Sequence, residues 1–288
     1  MRQGRFSRFA AIDWSGAKGK RHKGIAVGLC TAGGDPPVLV DPPDDASAWS
    51  RTGIMHWVLE TAGEAPTLFG FDFSYAPPIV ERGAYFPGDE GVPDDARAFW
   101  AYVDRVCDDE DLGAASFLEQ RHRRHFYMGA ADGVKRDFLH HRVCEHAFNA
   151  IGGGKASTLY DAIGAAQVAK ASYAGMRLLA RLSPPLPVWP MDPLPAQGSA
   201  IVEIYTRVFI LMAGLNGRKI RTLDRLNQAL AALGSAPMRL PRDPNDHETD
   251  VLVSAAGLRS IADDPTYWSP PALTSHIARS EGWTFGVV

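Results

Sequence analysis

Phe9-Ala-Ala-Ile-Asp13-Trp14-Ser15-Gly16 is the stretch from which the rest of the chain is read. A short apolar run that ends in a carboxylate and runs into a turn (Ser15-Gly-Ala-Lys-Gly-Lys20) reads as a buried strand with an acid at its mouth. Moving outward, Gly24-Ile-Ala-Val-Gly-Leu-Cys30 is a second strand. The break from Thr31 to Pro37 holds two Gly and two Pro, and Val38-Leu-Val40 is a third strand. Connections this short predict an antiparallel meander. From Thr52 to Ala62, the positions Ile54, Trp57, Val58 and Thr61 recur at helical spacing. Thr67-Leu-Phe-Gly-Phe-Asp-Phe-Ser74 then reads as a buried strand stopped by Ala76-Pro77-Pro78. The order to this point is β-β-β-α-β.

Residues 79–198 differ in character. They contain Phe86-Pro-Gly88, an acidic run (Asp108-Asp-Glu-Asp111), a basic and His-rich stretch, a helix predicted from Ala165 to Leu182 and a Pro-rich connector from Ser183 to Pro195. They read as a largely helical insertion within a single domain spanning 1–288. Ala200-Ile-Val-Glu-Ile-Tyr205 restores a strand. Arg221 to Leu233 places Leu223, Leu226, Leu230 and Leu233 on one helical stripe, and a last helix runs from Asp246 to about Ala262. The fold class expected is α/β, a central mixed sheet in β-β-β-α-β-α-β-α order flanked by helices.

Bulk properties narrow the function. The 288 residues carry a formal net charge of -3, with 45% hydrophobic and 22% charged residues. That is ordinary globular composition without the strongly basic balance of a dedicated polyanion binder. Cys30, Cys107 and Cys144 are odd in number, far apart and form no CxxC, which argues against a disulfide framework. The apolar run Phe9–Ile12 is too short for a signal segment and no stretch has the apolar length of a membrane span, so a cytoplasmic protein is expected.

Three expected strands each carry an acid beside an apolar segment: Asp13, Asp72 and Glu203. Ionised carboxylates are rarely buried without a partner, either a metal ion or an Arg or Lys. The last helix adds Asp246 and Asp250, four apart on one face, with His247 beside them. If the first strand is central and the later ones pair beside it, these acids converge. Hard divalent cations such as Mg²⁺ take oxygen ligands of this kind, and two ions about 3.5–4 Å apart can cleave a phosphodiester.

The strand acid followed by Trp-Ser-Gly, the segment Gly70-Phe-Asp-Phe-Ser-Tyr-Ala-Pro-Pro78, Val202-Glu-Ile-Tyr-Thr-Arg207 and Asp246-His-Glu-Thr-Asp-Val-Leu-Val-Ser-Ala-Ala256 resemble ribonuclease H-like (RuvC-like) proteins. The nearest resemblance is to domain of unknown function family 429, described as predicted nucleases of that fold. Gly164 to Leu179 is similar to that family's interior helix. The resemblance implies a metal-dependent nuclease with Asp13, Asp72, Glu203 and Asp250 as catalytic acids. These residues, with Asp246, would bind Mg²⁺ or Mn²⁺, and His247 would assist. Thr206 departs from the pattern, standing where relatives often have Pro.

Between Glu119 and Lys155 lie Arg121, Arg123, Arg124, Lys135, Arg136, Arg142 and Lys155, with His122, His125, His140, His141 and His146. Only Glu119, Asp132, Asp137 and Glu145 oppose them within the stretch. This local basic zone is a candidate nucleic-acid surface, through Arg121, Arg123, Arg124, Lys135, Arg136 and Lys155, with Phe126, Tyr127 and Phe138 available for stacking. The alternative is a solvated insertion. His140, Cys144 and His146 form an incomplete set of zinc-type ligands. Gly152-Gly-Gly-Lys155 lacks the first Gly and the Ser/Thr of a phosphate loop, and no Gly-x-Ser-x-Gly elbow is present. Ser15 and Ser74, each two residues after a strand acid, suit turns or the orientation of a metal-bound water. Two other function classes compete: a non-catalytic binding or regulatory protein that keeps the fold, and an actin-like ATPase or kinase. The second needs Gly-rich loops after both strand acids, and none follows Asp72.

Overall fold

The computed structural model describes residues 4–43, 45–163, 168–215 and 219–288. The first half of the order read above is present: strands β1 (Arg8–Asp13), β2 (Ala26–Thr31) and β3 (Val38–Leu39), helix α1 (Arg51–Glu64) and strand β4 (Thr67–Asp72). Ser50 starts α1 by accepting from the Gly53 N–H, and Ile54, Val58 and Thr61 form its buried face. Helices α2 (Ala96–Val106), α3 (Val143–Ala150) and α4 (Val168–Arg181) follow, then strands β5 (Val188–Trp189) and β6 (Ala200–Glu203). Helices α5 (Thr206–Met212), α6 (Leu223–Ala232), α7 (Asp246–Ile261) and α8 (Ser275–Ser280) complete the order.

Six strands form one mixed sheet in the order β3-β2-β1-β4-β6-β5. β1 is antiparallel to β2 and parallel to β4, and β4, β6 and β5 run parallel to one another. Strands buried on both faces read as continuous apolar runs, as Phe9–Ile12 and Thr67–Phe71 do. The pleat divides them. Ala10, Ile12, Phe69 and Phe71 face a core shared with α1, α2 and α4. Phe9, Ala11, Leu68 and Val202 face a second core built with α5, α6 and α7.

Two expectations about residues 79–198 change. The Pro-rich connector supplies the edge strand β5. The stretch is also less helical than expected: outside α2, α3 and α4 it holds 3₁₀ turns, a π-helical turn at Phe117–Arg121 and loops. Its aromatic residues explain how it stays ordered. Phe86, Phe99, Trp100, Phe117 and Tyr173 are buried in the same core as Phe71 and Phe73, so this stretch covers one face of the sheet. The helix expected from Ala165 is described from Val168 onward, and residues 164–167 lie outside the described residues. Tyr205, expected in a strand, is the N-cap residue of α5. Among the described residues no helix is long and apolar enough to cross a membrane.

Candidate functional site

Asp13 is the last residue of β1 and Asp72 the last of β4, and the two are register partners across the parallel pair. Both side chains therefore leave the same side of the sheet at its C-terminal edge. The segment after Asp13 is held by Arg51, a fully buried guanidinium at the start of α1. Arg51 donates to the carbonyls of Ser15 (2.8 and 2.9 Å), Ala17 (2.6 Å) and Asp111 (3.0 Å). Burial pushes its pKa down to about 10, still protonated at neutral pH. Gly16 is required for close approach, since a Cβ there would lie 2.3 Å from the backbone N of Ala171 in α4. Ser15 serves its own turn, its Oγ accepting from the Ala17 N–H at 3.2 Å.

Helix α7 brings the third acid. A capping box between Asn245 and Glu248 starts the helix, which packs over β1 and β2. Asp250 then lies one turn beyond Asp246. Burial, then the charges of Asp13, Asp250 and Glu203, hold Asp72 well above the carboxylate range. Burial and Asp13 push Asp250 up to about 7. Among the described residues neither Asp72 nor Asp250 makes an ion pair. Asp13 accepts from His247 Nδ1 (2.6 Å), and that hydrogen bond raises the imidazole pKa. Thr206 approaches Asp72 Oδ2 (3.4 Å) and bonds Ser254 Oγ (2.9 Å), which ties one of the acids to α7.

Glu203 does not join this group. It is the register partner of Phe71, one residue short of Asp72, so the pleat aims it at the opposite face. There Arg142 donates two bonds to it, Nη1 to Oε2 (2.7 Å) and Nη2 to Oε1 (2.5 Å). The Tyr75 N–H (2.8 Å) and Thr284 Oγ1 (2.6 Å) also donate to it. With both oxygens engaged and the side chain buried, it has no free lone pair facing an ion. Asp246 is engaged too, by Lys219, with Arg221 4.0 Å away.

Most of the expected basic surface is neutralised. Arg123 pairs with Asp132 (2.6 Å), Arg124 with Asp89, Lys135 with Asp161 (2.6 Å) and Arg136 with Asp137 (3.7 Å), while Arg121 Nε donates to Tyr102 Oη (3.3 Å). Asp89 and Asp161 come from outside the basic stretch, so the local count of opposing acids was too low. Phe126 is fully buried and unavailable for stacking. Lys155 is exposed and has no ion-pair partner among the described residues. Its loop runs beside α5, where Arg207, next to Thr206, donates to the Gly153 carbonyl. His140 and His146 both face Glu81 (3.8 Å each), and Cys144 is buried with its thiol pushed up to about 12, so they form no ligand set.

A second constellation escaped the sequence reading: Asp89, His122 and His125, whose ligand atoms all lie within 4.8 Å of one another. Burial holds both imidazoles below their ordinary pKa. The His-x-x-His spacing is visible in sequence, but Asp89 lies 33 residues before His122.

No family profile, curated protein or solved structure matches this chain.

Proposed function

We propose that this chain is a ribonuclease H-like enzyme that hydrolyses phosphodiester bonds in nucleic acid with the help of Mg²⁺ or Mn²⁺. The observation that carries the reading is the in-register pair Asp13 and Asp72 at the ends of adjacent central strands, with Asp250 lowered onto them from α7. The sheet order supports it: an antiparallel meander, then parallel strands added on the other side of β1, and a late helix across the face.

The donor set fits a hard dication. Asp13, Asp72 and Asp250 offer only oxygen, and among the described residues neither Asp72 nor Asp250 has an ion-pair partner, although Lys219 and His247 partly offset the charge at Asp250. They would hold the ion, whereas Glu203 would not. When bound, it supplies Lewis acidity toward a phosphoryl oxygen and toward water. The chain's own residues do the rest. Asp13 fixes the half-exposed His247 ring through Nδ1, which leaves Nε2 as the nitrogen that can release or take up a proton. Thr206 ties Asp72 to α7. Lys155 is available for a phosphate as a point charge.

The test is a panel of labelled single-stranded, duplex, hybrid and branched nucleic acids. Cleavage of at least one substrate with Mg²⁺ or Mn²⁺, absent in EDTA and reduced at least 100-fold in Asp13→Asn and Asp72→Asn, is the expected outcome. Activity that persists in chelator, or in both variants, would overturn the reading.

A further inference from the structure

The Asp89–His122–His125 constellation faces an open recess of about 420 Å³ whose lining includes Asp89, Glu90, Tyr102, Arg121 and His122. The local sequence builds it. Gly88 takes a left-handed conformation (φ 81°) in a turn closed by the Asp89 N–H on the Phe86 carbonyl (3.0 Å), which swings Asp89 toward the histidines. The π-helical turn and the 3₁₀ turn after it present His122 and His125 from one short segment. Phe86 stacks on His122 with centroids 4.4 Å apart at 14° and packs on His125 at 4.9 Å, so both rings are fixed from behind.

The contacts at His125 Nε2 cannot both be hydrogen bonds at once. Asp89 Oδ2 lies 2.6 Å from His122 Nδ1 and 3.0 Å from His125 Nε2. The same His125 Nε2 lies 3.3 Å from Arg124 Nε, which can only donate. If Nε2 carries a proton it meets Asp89 but opposes the Arg124 N–H. If Nε2 carries its lone pair it receives Arg124 but faces the carboxylate oxygen unprotected. A cation between Oδ2 and Nε2 would take the single lone pair of Nε2 and one of Oδ2, and the Arg124 Nε–H would then turn to solvent. Exposed Arg124 keeps its second bond, from Nη2 to Asp89 Oδ1, which leaves Oδ2 free to bind. His122 has a matching outer contact, Nε2 to Tyr102 Oη at 2.9 Å, of the kind that fixes the tautomer of a metal-bound imidazole.

We infer that Asp89, His122 and His125 form a binding site for one zinc-class divalent ion, distinct from the acidic edge of the sheet and independent of the hydrolase reading. Two imidazoles and one carboxylate suit Zn²⁺ or Co²⁺ over Mg²⁺. Tetrahedral bonds of about 2.0–2.1 Å put ligand atoms about 3.3 Å apart, so Asp89 Oδ2 would move away from His122 Nδ1, now 2.6 Å distant, by about 0.7 Å and from His125 Nε2, now 3.0 Å distant, by about 0.3 Å. The fourth position faces the recess, where water or a small anion completes the shell. The ion also ties the Gly88–Glu90 turn to the 117–126 segment.

The experiment uses the full chain stripped with chelator and titrated with Zn²⁺ alone and with Co²⁺ alone. One saturable zinc equivalent per chain is expected, with a visible absorption band of low-coordinate Co²⁺ and a higher melting temperature when Zn²⁺ is present. His122→Ala removes a buried ring and can cost folding. The decisive variants are therefore the conservative His125→Gln and Asp89→Asn, with circular dichroism as the control. Both lose the zinc equivalent and the cobalt band, Tyr102→Phe weakens affinity about 10–100-fold, and the doubly substituted Asp13→Asn, Asp250→Asn chain keeps them. Absence of a saturable equivalent, or one unchanged in folded His125→Gln and Asp89→Asn chains, would leave only an ion-pair network and overturn the inference. Failure of the nuclease panel leaves it untouched, because the readout is metal binding.

Discussion

The ends of β4 and β6 treat their acids in opposite ways. At β6, Glu203 lies inside a network in which Arg142 also bonds Glu145 (3.0 Å) and the Glu281 carbonyl (3.1 Å). The Glu281 carboxylate in turn accepts from the backbone N–H groups of Ile79, Val80 and Val143. Every carboxylate there has a cation or several donors, which is what burial of charge requires. At β4, one strand away, Asp72 has a weak hydroxyl contact and feels the like charges of Asp13, Asp250 and, more weakly, Glu203. The difference separates an acid whose charge the fold compensates from an acid whose charge it does not, and burial alone does not distinguish them.

The largest effect that tests this contrast is on stability. Arg142→Met leaves Glu203 and Glu145 buried without their cation and should cost about 3–5 kcal/mol, read from a denaturant midpoint. A loss under about 1 kcal/mol would erase the distinction between the two regions.

Next is the pH response of the acidic edge. The folded pKa of Asp250, about 7, lies above its ordinary 3.8. Below pH about 4 the group is protonated in both states and has no effect. As pH rises from about 4 through 7 the unfolded chain releases the proton while the folded chain retains it, so stability falls across that window. In EDTA at pH 8, Asp250→Asn should therefore be more stable than the parent by about 2 kcal/mol, after discounting for partial exposure and coupling. The gain should shrink toward pH 4 and on addition of Mg²⁺ to the parent. A destabilised Asp250→Asn chain at pH 8 would show that Asp250 is partnered after all.

The smallest effect concerns basic side chains. Arg123→Ala with Arg124→Ala should leave the slope of log affinity against log salt for single-stranded nucleic acid unchanged, since both are already paired. Lys155→Ala should reduce that slope by roughly one unit. The reverse result would restore the insertion as the contact surface.

What the sequence disclosed divides along the same line. Phe9–Asp13 and Thr67–Asp72 announce buried strands with terminal acids, because composition and length suffice for that. Their mutual register follows once both are placed beside each other. The position of Glu203 was misread because pairing phase is not written in a four-residue strand: an offset of one residue turns a side chain to the other face. Its partner Arg142 lies 61 residues earlier in the chain, within a stretch that reads as basic surface. The same long-range closure hides Asp89 behind the visible His122 and His125, and two residues between prolines are too few to signal β5. Local chemistry was legible; pairings made by the return of the chain were not.

His247 and Asp13 touch across 234 residues of sequence. A ribosome therefore finishes both strand acids long before it delivers the helix that completes their group. Until α7 emerges, the face of β1 and β2 that it covers has no lid, and Asp13 has no imidazole. Any proteolytic or premature-stop product ending before residue 246 contains Asp13 and Asp72 but lacks Asp250 and the core side chains of α7. For heterologous production, the C-terminal third is thus a natural quality check: a tag placed after it reports only chains in which the acidic edge has had the chance to assemble.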